Sequence, residues 1–330
     1  MTRPAVFVAR RIPTGVVELL RQACEVDVHD GPADLPRDEL FARLAGKAGL
    51  LSVLTTRVDR ELLVAAPELR VVANIAVGHD NIDLAEATAR GVVVTNTPDV
   101  LTEAVADFTY ALVLAATRRV AEGDRLVRAG GWGGWSLDFM LGMELRGRLL
   151  GIVGLGRIGR AVAARAPAFG LQVAFADVSD RDGRDGPGSD GAVATVPAWQ
   201  RLSFDELLHA SDIVSVHVPL TPATRHLVDQ RALARMKRSA YLVNTSRGPV
   251  VDEAALAWAL REHLIAGAAL DVYEREPQVH ADLLGLDNVV LAPHLGSATR
   301  ETRTAMAELA ARNVLAVLDG RPPLTPVTQT

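Results

Sequence analysis

Cysteine is almost missing from this chain: Cys24 stands alone among 330 residues, so neither an intrachain disulfide nor a thiolate-built zinc site can form. Patterns of the HExxH or EF-hand kind are missing too, and no metal is expected. The longest apolar run, around "FTYALVLAAT", is too short to cross a bilayer, and the opening "MTRPAVFVARRIPTG" lacks the apolar core of a signal peptide. A soluble, cytoplasmic protein is the expectation. Charge of one sign is concentrated nowhere. The net charge of −5 is spread along the chain, with no basic stripe to attract nucleic acid and no acidic tail.

What is present is apolar residue in regular rhythm. At 49% hydrophobic, 330 residues suffice for two packed cores. Short apolar runs ("AVFVA", "VDVH", "LLSVL", "VVANI", "VVV") alternate with helix-period segments, which reads as successive βα units and a parallel sheet. The rhythm pauses at Asn96-Thr97-Pro98. There "VLTEAVADFTYALVLAATRRVAEGDRLVRAG" predicts one long linker helix. It resumes at "RLLGIVGLGRIGRAVAARAPAFGLQVAFAD" and continues through "DIVSVHV", "AYLVNTS", "AGAALDV" and "NVVLAPH", a second α/β domain. The last helical pattern, "RETRTAMAELAARNVLAVLDG", follows once that domain is complete, so it is expected to pack back on the first. Asp180 to Asp190, "DRDGRDGPGSD", has almost nothing to bury and predicts a surface loop.

Gly154-Leu155-Gly156-Arg157-Ile158-Gly159 is a GxGxxG turn, a weak pattern until its context is added. It follows the strand "LLGIV", opens the helix "GRAVAARAPAF", and is succeeded by "QVAFAD", which ends in Asp177. This is the fingerprint of a dinucleotide site. Gly154 permits the tight turn, Gly156 lets backbone amides approach a pyrophosphate, and Gly159 seats the helix on the strand, while the helix N-terminus supplies positive potential. Asp177 would accept hydrogen bonds from the ribose hydroxyls and repel a 2′-phosphate, which favours NAD(H); Arg181 and Arg184 keep NADP(H) open.

Three further strand ends carry ionisable groups: Arg247 in "YLVNTSRGPVVDE", Asp271 and Glu276 in "ALDVYEREPQ", and His294 in "VVLAPHLGS". Each alone is ambiguous, since a histidine or an arginine at a strand end is commonly only a surface group. Ligands of open parallel sheets bind outside the carboxyl ends of the strands, where these residues could converge. Ser246 lacks a G-x-S-x-G elbow, which argues against a hydrolase.

Taken together and in this order, "VGHDNID", "GLGRIG", "NTSRGPVVDE", "AGAALDVYEREP" and "PHLGSAT" resemble the D-isomer-specific 2-hydroxyacid dehydrogenases over most of the chain. Within that family, "VVANIAVGHDNIDLAEATARGVVVTNTPDVLTEAVAD" is most similar to the glyoxylate and hydroxypyruvate reductases. The resemblance implies two doubly wound parallel-sheet domains, a Rossmann cofactor domain (99–291) inserted into a flavodoxin-like substrate domain (1–98 and 292–330). It implies NAD(P)H-dependent reduction of a small 2-keto acid to the D-2-hydroxy acid at an Arg247-Glu276-His294 site.

Those residue types suit the chemistry. The carbonyl oxygen must gain a proton, and an imidazolium at His294 can give it; a neighbouring carboxylate, Glu276, favours the charged ring and orients it. The planar fork of Arg247 can bind the substrate carboxylate and polarise the keto oxygen, which a lysine would do poorly. The family pattern further implies that Leu54 and the backbone of Val77 and Gly78 contact substrate, and that the domains close for catalysis. Asp271, aided by Thr102, would hold the nicotinamide carboxamide. His217, Val218 and Pro219 would line the adenosine side, with Thr245 and Gly296 completing the cofactor contacts. The region from Val100 through "GGWGGWS" resembles the family's dimer-forming segment, so a homodimer is expected, in which Trp135 could reach a neighbour's site. Alternatives are another D-2-hydroxyacid, phosphoglycerate or phosphite dehydrogenase, and a dinucleotide-sensing corepressor-like binding protein. A formate dehydrogenase would require glutamine in place of Glu276.

Overall fold

The computed structural model describes residues 3–177 and 199–328. The Asp180 to Asp190 segment, with Arg181 and Arg184, lies outside the described residues. In chain order the elements are β1 (Ala5–Val8), α1 (Thr14–Arg21), β2 (Glu25–Val28), α2 (Arg37–Leu44), β3 (Gly49–Ser52), α3 (Arg60–Ala65), β4 (Val71–Asn74), α4 (Leu84–Ala89) and β5 (Val93–Thr95). Two helices follow, α5 (Thr102–Thr117) and α6 (Val120–Arg128), then β6 (Leu149–Val153), α7 (Arg157–Arg165), β7 (Gln172–Ala176), β8 (Gln200–Arg201), α8 (Phe204–Ala210) and β9 (Ile213–Val216). The remainder is α9 (Gln230–Arg235), β10 (Tyr241–Asn244), α10 (Glu253–Arg261), β11 (Gly267–Leu270), α11 (Ala281–Leu284), β12 (Val289–Leu291) and α12 (Arg300–Leu318).

These elements form two compact units, Met1–Leu101 with Thr299–Thr330, and Thr102–Ala298. The junctions fall a few residues later than the sequence predicts. At the second junction the reason is local: the turn after β12 is bonded to Asp271, so His294 and Gly296 stay with the second unit.

In the first unit five parallel strands run in the order β2-β1-β3-β4-β5, the flavodoxin-like arrangement. The strands β3 and β4 are buried on both faces, which is why they read as unbroken apolar runs. Asp59 and Asp83 cap α3 and α4 by accepting first-turn N–H bonds, fixing where each helix begins. As the sequence leads one to expect, α12 returns to this unit: Met306, Ala307, Ala310, Val314 and Val317 are buried, and the helix packs on β3, β4 and α1. Val314 and Val317 join Val6, Val8, Leu51 and Val71 in one core cluster.

The second unit is a seven-stranded sheet in the order β12-β11-β10-β9-β6-β7-β8, parallel throughout. Counted from its first strand, this is the Rossmann order with one strand added, and the order reverses between β6 and β9. Ser203 opens α8 with a capping box shared with Glu206, and Asp229 and Asp252 cap α9 and α10. The expected single linker helix is instead two. Arg119 takes a left-handed conformation (φ 54°), which ends the hydrogen-bond ladder of α5, and its guanidinium holds Glu122 in the first turn of α6. Beyond α6, Trp135, Leu137 and Leu141 are strongly exposed.

Candidate active site

The glycine-rich turn joins β6 to α7 at the point where strand order reverses. Gly154 has φ +94°, and a Cβ there would meet the His217 carbonyl at 2.9 Å; a Cβ on Gly159 would meet the Gly154 carbonyl oxygen at 2.1 Å. The two glycines therefore let β6, β9 and α7 approach more closely than side chains allow. Around Gly156, in contrast, an added Cβ would meet no atom within 4 Å among the described residues beyond its chain neighbours. Arg157 and Ile158 begin α7 with no side-chain cap on the helix. Its N-terminal N–H groups thus suit a pyrophosphate, and the open space at Gly156 is of the kind such a group would take.

Asp177 directly follows β7, and its Oδ2 accepts a 2.7 Å hydrogen bond from the Leu155 N–H, which fixes the carboxylate beside the glycine turn. His217 pairs with Ser215 Oγ at 2.8 Å. Burial pushes its imidazole down to about 3, so this ring is neutral. Val218 is half-buried and Pro219 exposed just after it. Thr245 bonds Thr109 of α5 (3.1 Å), and Thr102 is the first residue of that helix.

The three ionisable strand ends converge. His294 follows β12 at φ 55°, a conformation a side chain rarely adopts, held by its own N–H to the carbonyls of Asp271 (3.0 Å) and Ala292 (3.1 Å). Its Nδ1 meets Glu276 Oε2 at 2.8 Å. Glu276 Oε1 accepts the N–H of Tyr273 at 3.1 Å. Burial alone would raise the Glu276 carboxyl, but the hydrogen bond and charge of His294, the Tyr273 N–H and the charge of Arg247 hold it below the usual carboxylate range. Arg247 is half-buried and close enough to take part in that balance; its Nη1 bonds the Ser246 carbonyl at 2.8 Å.

Asp271 is 1% exposed, and its two oxygens accept the N–H groups of Leu295 (2.6 Å) and Gly296 (2.7 Å). Desolvation still raises its pKa, the two N–H bonds and His294 opposing. Its visible work is to pin the turn that carries His294.

Sequence reasoning misses the parts that hold this cluster. Asn244 bonds the Arg247 carbonyl (3.0 Å) and accepts from both the N–H and Oγ of Ser246, so it shapes the arginine turn. At Gly248 a Cβ would sit 1.9 Å from the Tyr273 carbonyl, an approach that only glycine permits, and it brings the Arg247 turn against the Glu276 loop. Tyr273, by donating to the Ala292 carbonyl (2.9 Å), ties that loop to the end of β12. Of these, only the Asn-x-x-Arg-Gly spacing leaves a trace in sequence, as an Asx turn.

Leu54, Val77 and Gly78 lie in the first unit, all half-buried. There Asn74, Asn81 and Asn96 surround the loop after β4 with side-chain hydrogen bonds. Among the described residues, no cluster of three or more histidine, cysteine or acidic groups is placed to hold a metal, and no helix is long and apolar enough to cross a membrane.

Comparison with known proteins identifies the family. The NAD-binding domain of D-isomer specific 2-hydroxyacid dehydrogenases matches residues 110–296. A glyoxylate reductase from Thermofilum pendens is 48% identical over 326 residues, spanning 98% of this chain and 94% of that protein. Another from Thermococcus kodakarensis is 45% identical, spanning 99% and 97%. Among solved structures, a glyoxylate reductase from Paecilomyes thermophila superposes with a TM-score of 0.84 at 31% identity over 99% of both chains. An NADPH-dependent glyoxylate/hydroxypyruvate reductase from Sinorhizobium meliloti, in complex with NADP and malonate, does so with a TM-score of 0.84 at 36% identity over 99% of this chain and 97% of that one.

Proposed function

Because the chain belongs to the D-isomer specific 2-hydroxyacid dehydrogenase family and is an oxidoreductase that takes a nicotinamide dinucleotide, we propose that it reduces glyoxylate or hydroxypyruvate to the D-2-hydroxy acid. The observation that carries this reading is the 2.8 Å pairing of His294 with Glu276. A bound reduced nicotinamide supplies the hydride. Everything else falls to side chains. His294 has Nδ1 committed to Glu276, so the proton for the carbonyl oxygen leaves from Nε2. Glu276, held ionised, favours the imidazolium and fixes the plane of the ring. Arg247 binds the substrate carboxylate and draws charge toward the keto oxygen as it becomes an alkoxide. In the first unit, Leu54 and the backbone of Val77 and Gly78 contact the acid.

Asp177 supports NAD(H) as the preferred cofactor, since a carboxylate fixed beside the glycine turn accepts ribose hydroxyls and repels a 2′-phosphate. The exposed apolar arm containing Trp135, Leu137 and Leu141 supports a homodimer. The test is direct. Purified protein with reduced cofactor and glyoxylate or hydroxypyruvate should consume the cofactor, faster with NADH than with NADPH. No loss of nicotinamide absorbance with any small 2-keto acid and either cofactor would sink the reading.

A further inference from the structure

The loop after β4, "IAVGHDN", has an uneven hydrogen-bond ledger. Each carbonyl from Ala76 to His79 is taken by a protein donor: Ala76 by the Thr97 N–H (2.8 Å), Val77 by Asn96 Nδ2 (2.7 Å), Gly78 by Asn74 Nδ2 (2.9 Å) and His79 by the Ile82 N–H (2.9 Å). Among the described residues, the N–H groups of Val77, Gly78 and His79 donate to no protein acceptor. A trans peptide is planar, so tying down a carbonyl aims the next residue's N–H the opposite way. Thr97 thereby aims the Val77 N–H, Asn96 that of Gly78, and Asn74 that of His79. Three successive N–H groups turned away from the body of the unit make a cradle for an anion.

The two asparagines are themselves braced. Asn74 is fully buried at the end of β4, and its Oδ1 accepts Ser52 Oγ at 3.0 Å, which leaves its amide group turned to Gly78. Asn96 is held by backbone: its carbonyl accepts Thr325 Oγ1 (2.6 Å) and its N–H meets the Thr325 carbonyl (3.3 Å). Thr325 in turn is gripped by the fully buried Asn313 of α12, which donates to its Oγ1 (2.8 Å) and accepts its N–H (3.1 Å). Carbonyls of a half-buried loop can be satisfied by water at little cost, whereas burying an amide costs free energy unless every group on it is bonded. Spending such side chains on loop carbonyls makes sense where the direction of the peptides matters.

We infer that Asn74 and Asn96 are positioning residues that orient the N–H groups of Gly78 and His79 toward the carboxylate of the substrate. The inference deepens the keto-acid reading above and rests on it. It extends the expected backbone contact at Val77 and Gly78 by a third donor, His79, and names the side chains that set its aim. Neither asparagine touches substrate. Their effect is on how well the acid is held, before and during reduction alike.

The experiment compares wild type with Asn96→Ala and Asn96→Asp, the latter keeping the size while removing the donor. Because Asn96 is only half-buried, these variants are expected to fold; Asn74→Asp is the second site, with a lowered Tm expected from its burial. Steady-state kinetics with glyoxylate, inhibition by oxalate as a carboxylate without a reducible carbonyl, and NADH binding by fluorescence are the readouts. KM for glyoxylate and Ki for oxalate should rise together by about tenfold, the loss of one well-placed charge-assisted contact, with kcat within about threefold of wild type and NADH affinity unchanged. An unchanged KM in both Asn96 variants, or a fall in kcat with no rise in KM, overturns the inference. Wild type active with Asn96 variants indistinguishable from it defeats the positioning role alone. Wild type inactive on every small 2-keto acid defeats the proposed function, and this inference with it.

Discussion

Replacing Glu276 by Gln removes the charge from the His294 pairing at constant size; with the one amide oxygen on the Tyr273 N–H, the amide nitrogen faces His294 Nδ1 and can no longer accept from it. At 2.8 Å and an effective dielectric constant of about 20, two unit charges attract by about 6 kcal/mol, which is an upper limit. Both side chains remain about 30% exposed, so solvent screens much of that attraction. The difference between a charge-assisted and a neutral hydrogen bond, about 1 to 2 kcal/mol, is the better guide. It corresponds to a loss of about five- to thirtyfold in kcat/KM for keto-acid reduction. The carboxyl of Glu276 is held below the usual carboxylate range, so in wild type the charge is lost only as pH falls below that range, and the acid-side loss of rate that follows from it should be missing in the variant. The assay is kcat/KM against pH for wild type and variant, with NADH affinity and Tm as controls. A variant with wild-type kcat/KM, or one with the same acid-side loss, would refute the role given to the charge of Glu276.

Three further outcomes are expected. His294→Ala should reduce turnover by roughly 10²–10⁴ with NADH affinity preserved; equal loss of both would make the residue structural. Asp177→Ala should shift the ratio of kcat/KM values from NADH toward NADPH, because it removes a ribose acceptor and a repulsive charge at once; an unmoved ratio would place cofactor choice elsewhere. Gly248→Ala should destabilise by about 1–3 kcal/mol or more, since its Cβ would overlap the Tyr273 carbonyl, and it should lower kcat as the Arg247 turn is pushed off the Glu276 loop. Denaturant unfolding together with kinetics tests this, and an unchanged midpoint would refute the close approach.

The alternation of apolar runs and helical segments revealed both sheets in the sequence, because among the described residues every strand but the short β8 carries two or more aliphatic residues, buried in most of them and only half-buried in β2. The glycine turn and the ionised groups at strand ends were legible because their chemistry needs specific residue types at specific places. What escaped was the connective tissue between segments far apart in the chain. Asn96 reaches Val77 across 19 residues and Gly248 meets Tyr273 across a strand and a helix, contacts that no local pattern announces. The break at Arg119 escaped for another reason. Helix propensity and apolar spacing both continue through it, and a single left-handed residue with an Arg119–Glu122 ion pair overrides them.

The return of α12 to the first unit has a consequence for biosynthesis. Chain emerges from the ribosome in order, and β1 to β5 are made before the second unit, yet the helix that covers Val6, Leu51 and Val71 is made only after it. Through the intervening synthesis one apolar face of that sheet waits without its cover, while the whole of the second sheet can assemble as it appears. A nascent chain that has reached Ala298 without α12 therefore carries a finished second unit beside a first sheet whose apolar face is still open to misassembly.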